Sequence, residues 1–309
     1  MTEREGKVVK GLGGLYETRL FDTGERVVCR AKGVLRRDYE KLLIGDNVRV
    51  SFTDTPDGTV ISDVLERKNS LIRPPLANLD YLFIVFAAKK PTPVIETVDK
   101  LVSIAEYNGI TPVVVISKSD LDAHTAAEYA EIYRLAGIDT FVTSSFDREG
   151  TATLREYIET NLCDGRTAAF AGASGVGKST LMNTLFDGLT LATAEISKKI
   201  ERGRHTTRHV EIFDINGSLN TGFLADTPGF SMVDFARFDF MPLDALEGTF
   251  ADIARYRGEC RWADCAHVGE GEADCAVLRA VKKGEIAESR LESYRSIWAV
   301  LKNKNEYEK

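Results

Sequence analysis

The sequence predicts a multidomain α/β chain: an N-terminal β-barrel, a doubly wound α/β domain and a helical C-terminal segment that binds metal. Three observations predict it. Residues 1–70 hold short alternating polar and apolar runs separated by turn signals. Beyond them, Tyr81–Ala87 and 112–117 are continuous apolar runs with a helically spaced stretch between, the pattern of parallel strands buried on both faces. Late in the chain, Cys260, Cys265, His267 and Cys275 crowd into one polar stretch. The expected domains are 1–70, 71–235 and 236–309.

The chain has 309 residues, a length that suits two or three domains. Its formal net charge of −7 gives no global basicity, but recognition of nucleic acid depends on local patches. No apolar run approaches the ~18 residues of a membrane span. The charged N-terminus lacks the apolar core of a signal peptide, so a cytoplasmic protein with no membrane partner is expected. Of five cysteines, Cys29 and Cys163 stand alone and read as unpaired thiols. In a cytosolic setting the late cluster favours metal over disulfide.

In the first domain the strand candidates are 27–31, 48–52 and 59–64. Turn signals lie at 22–24, 44–46 and 56–58. This length and spacing fit an OB-type barrel of about five strands. Residues 32–37, with Lys41 and Arg49, are locally basic, which reads equally as a nucleic-acid face and as a solvated surface.

The second domain alternates strand and helix. Helical spacing over 94–107 lies between the two apolar runs, and a helix over 125–135 follows, with Thr125 as its N-cap. A strand at 140–142, a helix at 153–160, a strand at Thr167–Ala171 and strands at 209–215 and 222–225 complete it. Beyond 235 the sequence predicts helices at 243–256, 276–283 and 290–303, the last with Leu291, Tyr294, Trp298 and Leu301 on one stripe.

Gly172, Ala173, Ser174, Gly175, Val176, Gly177, Lys178, Ser179 and Thr180 form G-x-x-x-x-G-K-S-T between a strand and a helix. That context is what a phosphate-binding loop requires. Its glycines let backbone N–H groups turn around an anion at the positive end of a helix. Lys178 would reach the β- and γ-phosphates and Ser179 would ligate Mg²⁺.

Ser117, Lys118, Ser119 and Asp120 match N-K-x-D except at the first position. Asp120 can accept from N1–H and the 2-amino group of guanine, which adenine does not offer. Lys118 would pack along the base. Ser144 and Ser145 follow the next strand, in a short element of the kind that presents N–H to guanine O6. Asp226 and Gly229, in D-T-P-G, suit the magnesium shell and the approach of a backbone N–H to a γ-phosphate. Phe230 stands where many GTPases place a water-orienting Gln. Within 203–207, Thr207 (alternatively Thr206) would complete the magnesium shell, and His205 is the candidate for orienting the attacking water. The predicted ligands are GTP and GDP with Mg²⁺. The base-reading elements precede the phosphate loop, the reverse of the usual order. One fold accommodates this if the domain is circularly permuted, which sets the second switch directly before the C-terminal domain.

Cys260, Cys265, His267 and Cys275 offer three thiolates and an imidazole, a donor set for a closed, structural zinc site.

Together these motifs resemble the ribosome small-subunit-dependent GTPases of the RsgA type, over essentially the whole chain. The resemblance implies an OB barrel and a zinc domain that grip the 30S subunit and its 16S rRNA around a permuted GTPase domain. It further implies late 30S maturation as the role, with hydrolysis stimulated by the 30S subunit and driving release. The family's proposed catalytic His falls on His205, and the hydrophobic Phe230 matches. A monomer is expected. Two departures stand out: the long step from His267 to Cys275, and the acidic run at 269–274 within it, which weighs against contact of that loop with RNA. The rival readings are a GTP-gated RNA-binding module with negligible turnover, kept open by Phe230, and an ATPase, opposed by Asp120.

Overall fold

The computed structural model describes residues 2–32, 42–52, 58–144, 148–186, 210–216, 218–226 and 234–307, with no description of the side chains of 148, 149, 226 and 305–307. The chain divides into two compact units. The first is residues 1–82, 154–170 and 179–230; the second is 83–153, 171–178 and 231–309.

In the first unit, β1 (Thr2–Leu12), β2 (Leu15–Leu20), β3 (Arg26–Ala31), β4 (Asn47–Phe52) and β5 (Thr59–Val64) close a barrel in the order β1-β2-β3-β5-β4. Closure leaves no open edge. Strand β1 pairs with both β2 and β4, and a register shift between Val8 and Lys10 lets it bend between them. Alternate residues point inward, so Val8, Leu20, Cys29, Val48, Val50 and Ile61 form the barrel core. The expected five-stranded barrel is present. Its strands β1 and β2 are invisible to the alternation rule because charged residues interrupt them and two, Lys7 and Arg19, are themselves buried. A small hairpin of β6 (Ser70–Leu71) and β7 (Leu76–Ala77) follows.

The α/β elements are β8 (Tyr81–Ala87), α1 (Ile95–Tyr107), β9 (Thr111–Ser117), α2 (Ala123–Leu135), β10 (Asp139–Val142), α3 (Arg148–Asn161), β11 (Thr167–Ala171), α4 (Lys178–Phe186), β12 (Glu211–Asp214) and β13 (Phe223–Asp226). In the second unit the strand order is β10-β9-β8, with β10 parallel to β9. In the first it is β11-β13-β12. There β11 and β13 are parallel, but β12 is antiparallel to β13. The connection from Asp214 to Phe223 is too short for a crossover helix, so the chain returns as a hairpin. Strand β9 is buried from Pro112 to Ser117, as its continuous apolar run predicts.

Two local readings need correction. The N-cap of α2 is Asp122, whose carboxylate accepts from the Thr125 backbone N–H at 3.2 Å. Thr125 is therefore the residue being capped. The single helix expected over 243–256 is instead two 3-10 turns, Leu243–Ala245 and Glu247–Thr249, followed by α5 (Ala251–Ala254). The Thr249 hydroxyl donates to the Leu246 carbonyl at 2.7 Å, and Phe250 leaves the helical region at φ −115°, ψ 83°. Such local hydroxyl bonds compete with the helical ladder.

The remaining helices are α6 (Ala276–Lys282) and α7 (Glu288–Tyr307). Leu291, Tyr294 and Leu301 of the expected stripe are buried together with Ile297, while Trp298 is half-buried. Among the described residues no helix is long and apolar enough to cross a membrane.

Candidate functional site

Strand β11 delivers the chain to Gly172, and the loop 172–177 turns it into α4. Gly172 has φ +142°, and a Cβ there would lie 2.0 Å from the Val85 carbonyl oxygen. No side chain fits, so the strand-to-loop turn requires glycine. Gly175 and Gly177 are also in the left-handed region, at φ +79° and +94°. Val176 is buried and anchors the loop while Ala173, Ser174 and Gly175 stay exposed. Lys178 curls back over the loop, donating to the carbonyls of Gly172 at 2.5 Å and Ala173 at 2.7 Å. Burial pushes its ammonium below the usual lysine range. Ser179 and Thr180 follow, exposed, on the first turn of α4, where the helix dipole favours an anion.

Residues 117–120 are bound to this loop. Strand β9 ends at Ser117, whose buried hydroxyl donates to the Val176 carbonyl at 2.6 Å and lies 3.1 Å from that of Phe86. Lys118 adopts φ +57°, and its ammonium donates to the carbonyls of Gly175 at 2.6 Å and Lys90 at 2.7 Å. Ser119 and Asp120 enter a 3-10 turn, with Asp120 exposed. The Ser119 N–H donates to Thr143 O at 3.2 Å, which places Ser144 beside the Lys118–Asp120 corner. The loop 172–178, residues 117–120 and residues 143–144 thus converge. Spacing alone gives no sign of the carbonyls of Phe86 and Lys90. Of the remaining candidates, Ser145, His205, Thr206, Thr207, Gly229 and Phe230 lie outside the described residues. Asp226 ends β13, its side chain likewise outside them.

Cys260, Cys265, His267 and Cys275 also come together. Their ligand atoms all lie within 4.8 Å of one another. His267 Nδ1 is 3.7 Å from Cys260 Sγ and 3.4 Å from both Cys265 Sγ and Cys275 Sγ. A tetrahedral zinc centre with bonds of about 2.3 Å to sulfur and about 2.0 Å to nitrogen separates those atoms by about 3.5 Å, so the four side chains fit such an ion. The Ala276 N–H donates to Cys260 Sγ at 3.3 Å, a bond that favours a thiolate. Burial pushes the Cys265 and Cys275 thiols up and His267 down. The neutral imidazole suits ligation, and a divalent cation would supply the charge that thiolates need. With four such ligands a bound ion would have no position left for substrate.

The acidic run beside this cluster is mostly neutralised. Asp274 accepts from Arg261 at 3.0 Å, and Glu272 pairs with Lys282.

A phosphate loop held to residues 117–120 and 143–144, the candidate base-reading elements, which precede it in the chain, defines a circularly permuted P-loop nucleotide-binding protein. The chain matches the sequence profile of the RsgA GTPase over residues 64–236, and that of the RsgA N-terminal domain over residues 5–60. It belongs to the RsgA GTPase family, enzymes that hydrolyse GTP. It is 40% identical over 304 residues to the small ribosomal subunit biogenesis GTPase RsgA 2 of Listeria monocytogenes, covering 97% of this chain and 98% of that protein. The corresponding Geobacillus thermodenitrificans protein is 38% identical, with the same coverage. The chain is similar to solved structures as well. YloQ, a circularly permuted GTPase, has a TM-score of 0.77 and 31% identity, covering 98% of this chain and 96% of that one. YjeQ from Thermotoga maritima has a TM-score of 0.77 and 32% identity, covering 97% and 99%.

Proposed function

We propose that this chain is a GTP hydrolase that matures the small (30S) ribosomal subunit, with hydrolysis stimulated by the subunit and driving release from it. The observation that carries this is the pair of bonds from Ser117 to Val176 and from Lys118 to Gly175, which join the base-reading corner to the phosphate loop. The small-subunit role rests on relatives whose names state it.

In this reading Asp120 selects guanine, with Ser117, Lys118, Ser119, Ser144 and Ser145 around the base. Residues 172–180 cradle the phosphates through backbone N–H groups and the Lys178 ammonium. Ser179, Thr207 and Asp226 hold magnesium, and Gly229 approaches the γ-phosphate. Bound with GTP, magnesium neutralises charge on the β- and γ-phosphates. His205 orients the attacking water, because Phe230 offers no hydrogen bond. Zinc at Cys260, Cys265, His267 and Cys275 braces the C-terminal domain. The domains 1–70, 71–235 and 236–309 are the barrel, the GTPase and the zinc domain. The barrel and zinc domain grip 16S rRNA, and a cytoplasmic monomer acts on the subunit.

The test is GTP turnover with and without purified 30S subunits, with His205→Ala beside the parent. The expected result is strong stimulation of the parent and little of the variant. Equal parent rates with and without 30S would overturn the stimulated cycle.

A further inference from the structure

The chain between His267 and Cys275 holds Gly269, Glu270, Gly271, Glu272, Ala273 and Asp274, and its acids do different work. Glu272 and Asp274 reach outward to Lys282 and Arg261. Glu270 turns back on the segment around His267. One carboxylate oxygen accepts from the Ala266 N–H at 3.1 Å and the other from the Gly269 N–H at 3.1 Å. These two amides bracket His267. His267 has φ +61°, a left-handed conformation that is unfavourable for a residue other than glycine. Arg295 from α7 donates to the His267 carbonyl at 2.7 Å.

We infer that Glu270 is a positioning residue for the metal centre: its carboxylate holds the backbone on both sides of His267 in the left-handed turn that aims Nδ1 at the three sulfurs. A hydrogen bond with one charged partner is stronger than a neutral one, and two of them offset the conformational cost. Arg295 holds the His267 carbonyl, so a carboxylate and a guanidinium both act on the imidazole through the backbone of the turn.

This rests on the reading of the four side chains as a zinc centre, and the experiment separates the two. Full-length parent, Glu270→Ala, Glu270→Gln and Glu272→Ala are loaded with zinc and challenged with excess chromophoric chelator. Cobalt(II)-loaded samples give the ligand-field spectrum. The loss of outer partners of a metal ligand costs about 10–100-fold in affinity. Release from Glu270→Ala is expected to be faster by about that factor, with a changed cobalt spectrum. Glu270→Gln keeps one acceptor oxygen and falls between. Glu272→Ala matches the parent, because its carboxylate pairs with Lys282. Equal release from Glu270→Ala and the parent, or equal acceleration in Glu270→Ala and Glu272→Ala, would overturn the role of Glu270. A parent that binds no stoichiometric zinc would instead overturn the zinc centre itself.

Discussion

Arg290 donates to Asp99 at 2.6 Å with both side chains buried, joining residues 191 apart in the chain. Its other edge donates twice to Asp252, at 3.0 Å each, and the guanidinium lies 4.4 Å from the Phe250 ring centroid. One arginine therefore ties α1 to α5 and α7. Arg290→Met would leave two buried carboxylates facing each other without their cation. Removing one partner of a buried pair costs about 3–5 kcal/mol. We expect a loss of that size in urea denaturation, with Asp99→Asn losing less because the Asp252 pair survives. A loss below about 1 kcal/mol in Arg290→Met would contradict this account.

Ser117 places its hydroxyl 2.6 Å from the Val176 carbonyl. Ser117→Ala leaves that carbonyl unpaired inside the protein, at about 1–3 kcal/mol. Part of this should appear as weaker nucleotide binding, since Val176 anchors the phosphate loop. A loss of about 1.4 kcal/mol is tenfold in affinity. Calorimetric titration with a non-hydrolysable GTP analogue should show a drop of roughly that order. Unchanged affinity would mean that the tie does not shape the loop.

What the sequence makes legible here is what is local. Residues 172–180 fix a strand-to-helix turn within a few residues, and the cysteine cluster brings its ligands together within one loop. The partners of Ser117 are hidden because Val176 lies 59 residues away, and only the packed strands bring them together. Arg290, Asp99 and Asp252 look like surface charges until burial reveals the triad. Strand β1 escapes the alternation rule because Glu3, Arg4, Glu5 and Lys7 give it a polar look, although Lys7 and Val8 are buried. The run at 269–274 looks like a free acidic tongue, whereas its side chains are spent on the turn around His267 and on Arg261 and Lys282.

Gly172→Ala tests the phosphate loop by sterics alone. The added methyl would sit 2.0 Å from the Val85 carbonyl oxygen, at φ +142°. The neighbour is backbone of a buried strand and cannot swing aside, so the loop must distort. We expect GTP binding to be lost beyond detection in the same titration. Gly175→Ala is the control: nothing lies within 4 Å of its Cβ, and only the left-handed backbone is strained. Its affinity should fall far less. Equal binding by Gly172→Ala and the parent would overturn the loop's fit against β8.

Lys7 gives a pH signature. It is 2% exposed on β1, its ammonium lies 5.5 Å from the centre of the Phe223 ring, and burial pushes its pKa down from 10.5 to about 8. The folded state therefore releases this proton at lower pH than the unfolded chain. Between about pH 8 and about pH 10.5 the unfolded state binds more protons, so stability rises with pH across that window. Below it the full cost of holding the charge inside is present. At ~1.4 kcal/mol for each tenfold change in acidity, this depression amounts to about 3–4 kcal/mol, as an upper figure. Lys7→Met removes the titration and keeps most of the side-chain volume, but it also loses the contact of the ammonium with Phe223. Measured by urea denaturation as a function of pH, the parent should gain on Lys7→Met as the pH rises through this window. The variant should be the relatively more stable of the two at neutral pH. A parent-minus-variant difference that stays flat over the window would show that Lys7 keeps its ordinary pKa in the folded barrel.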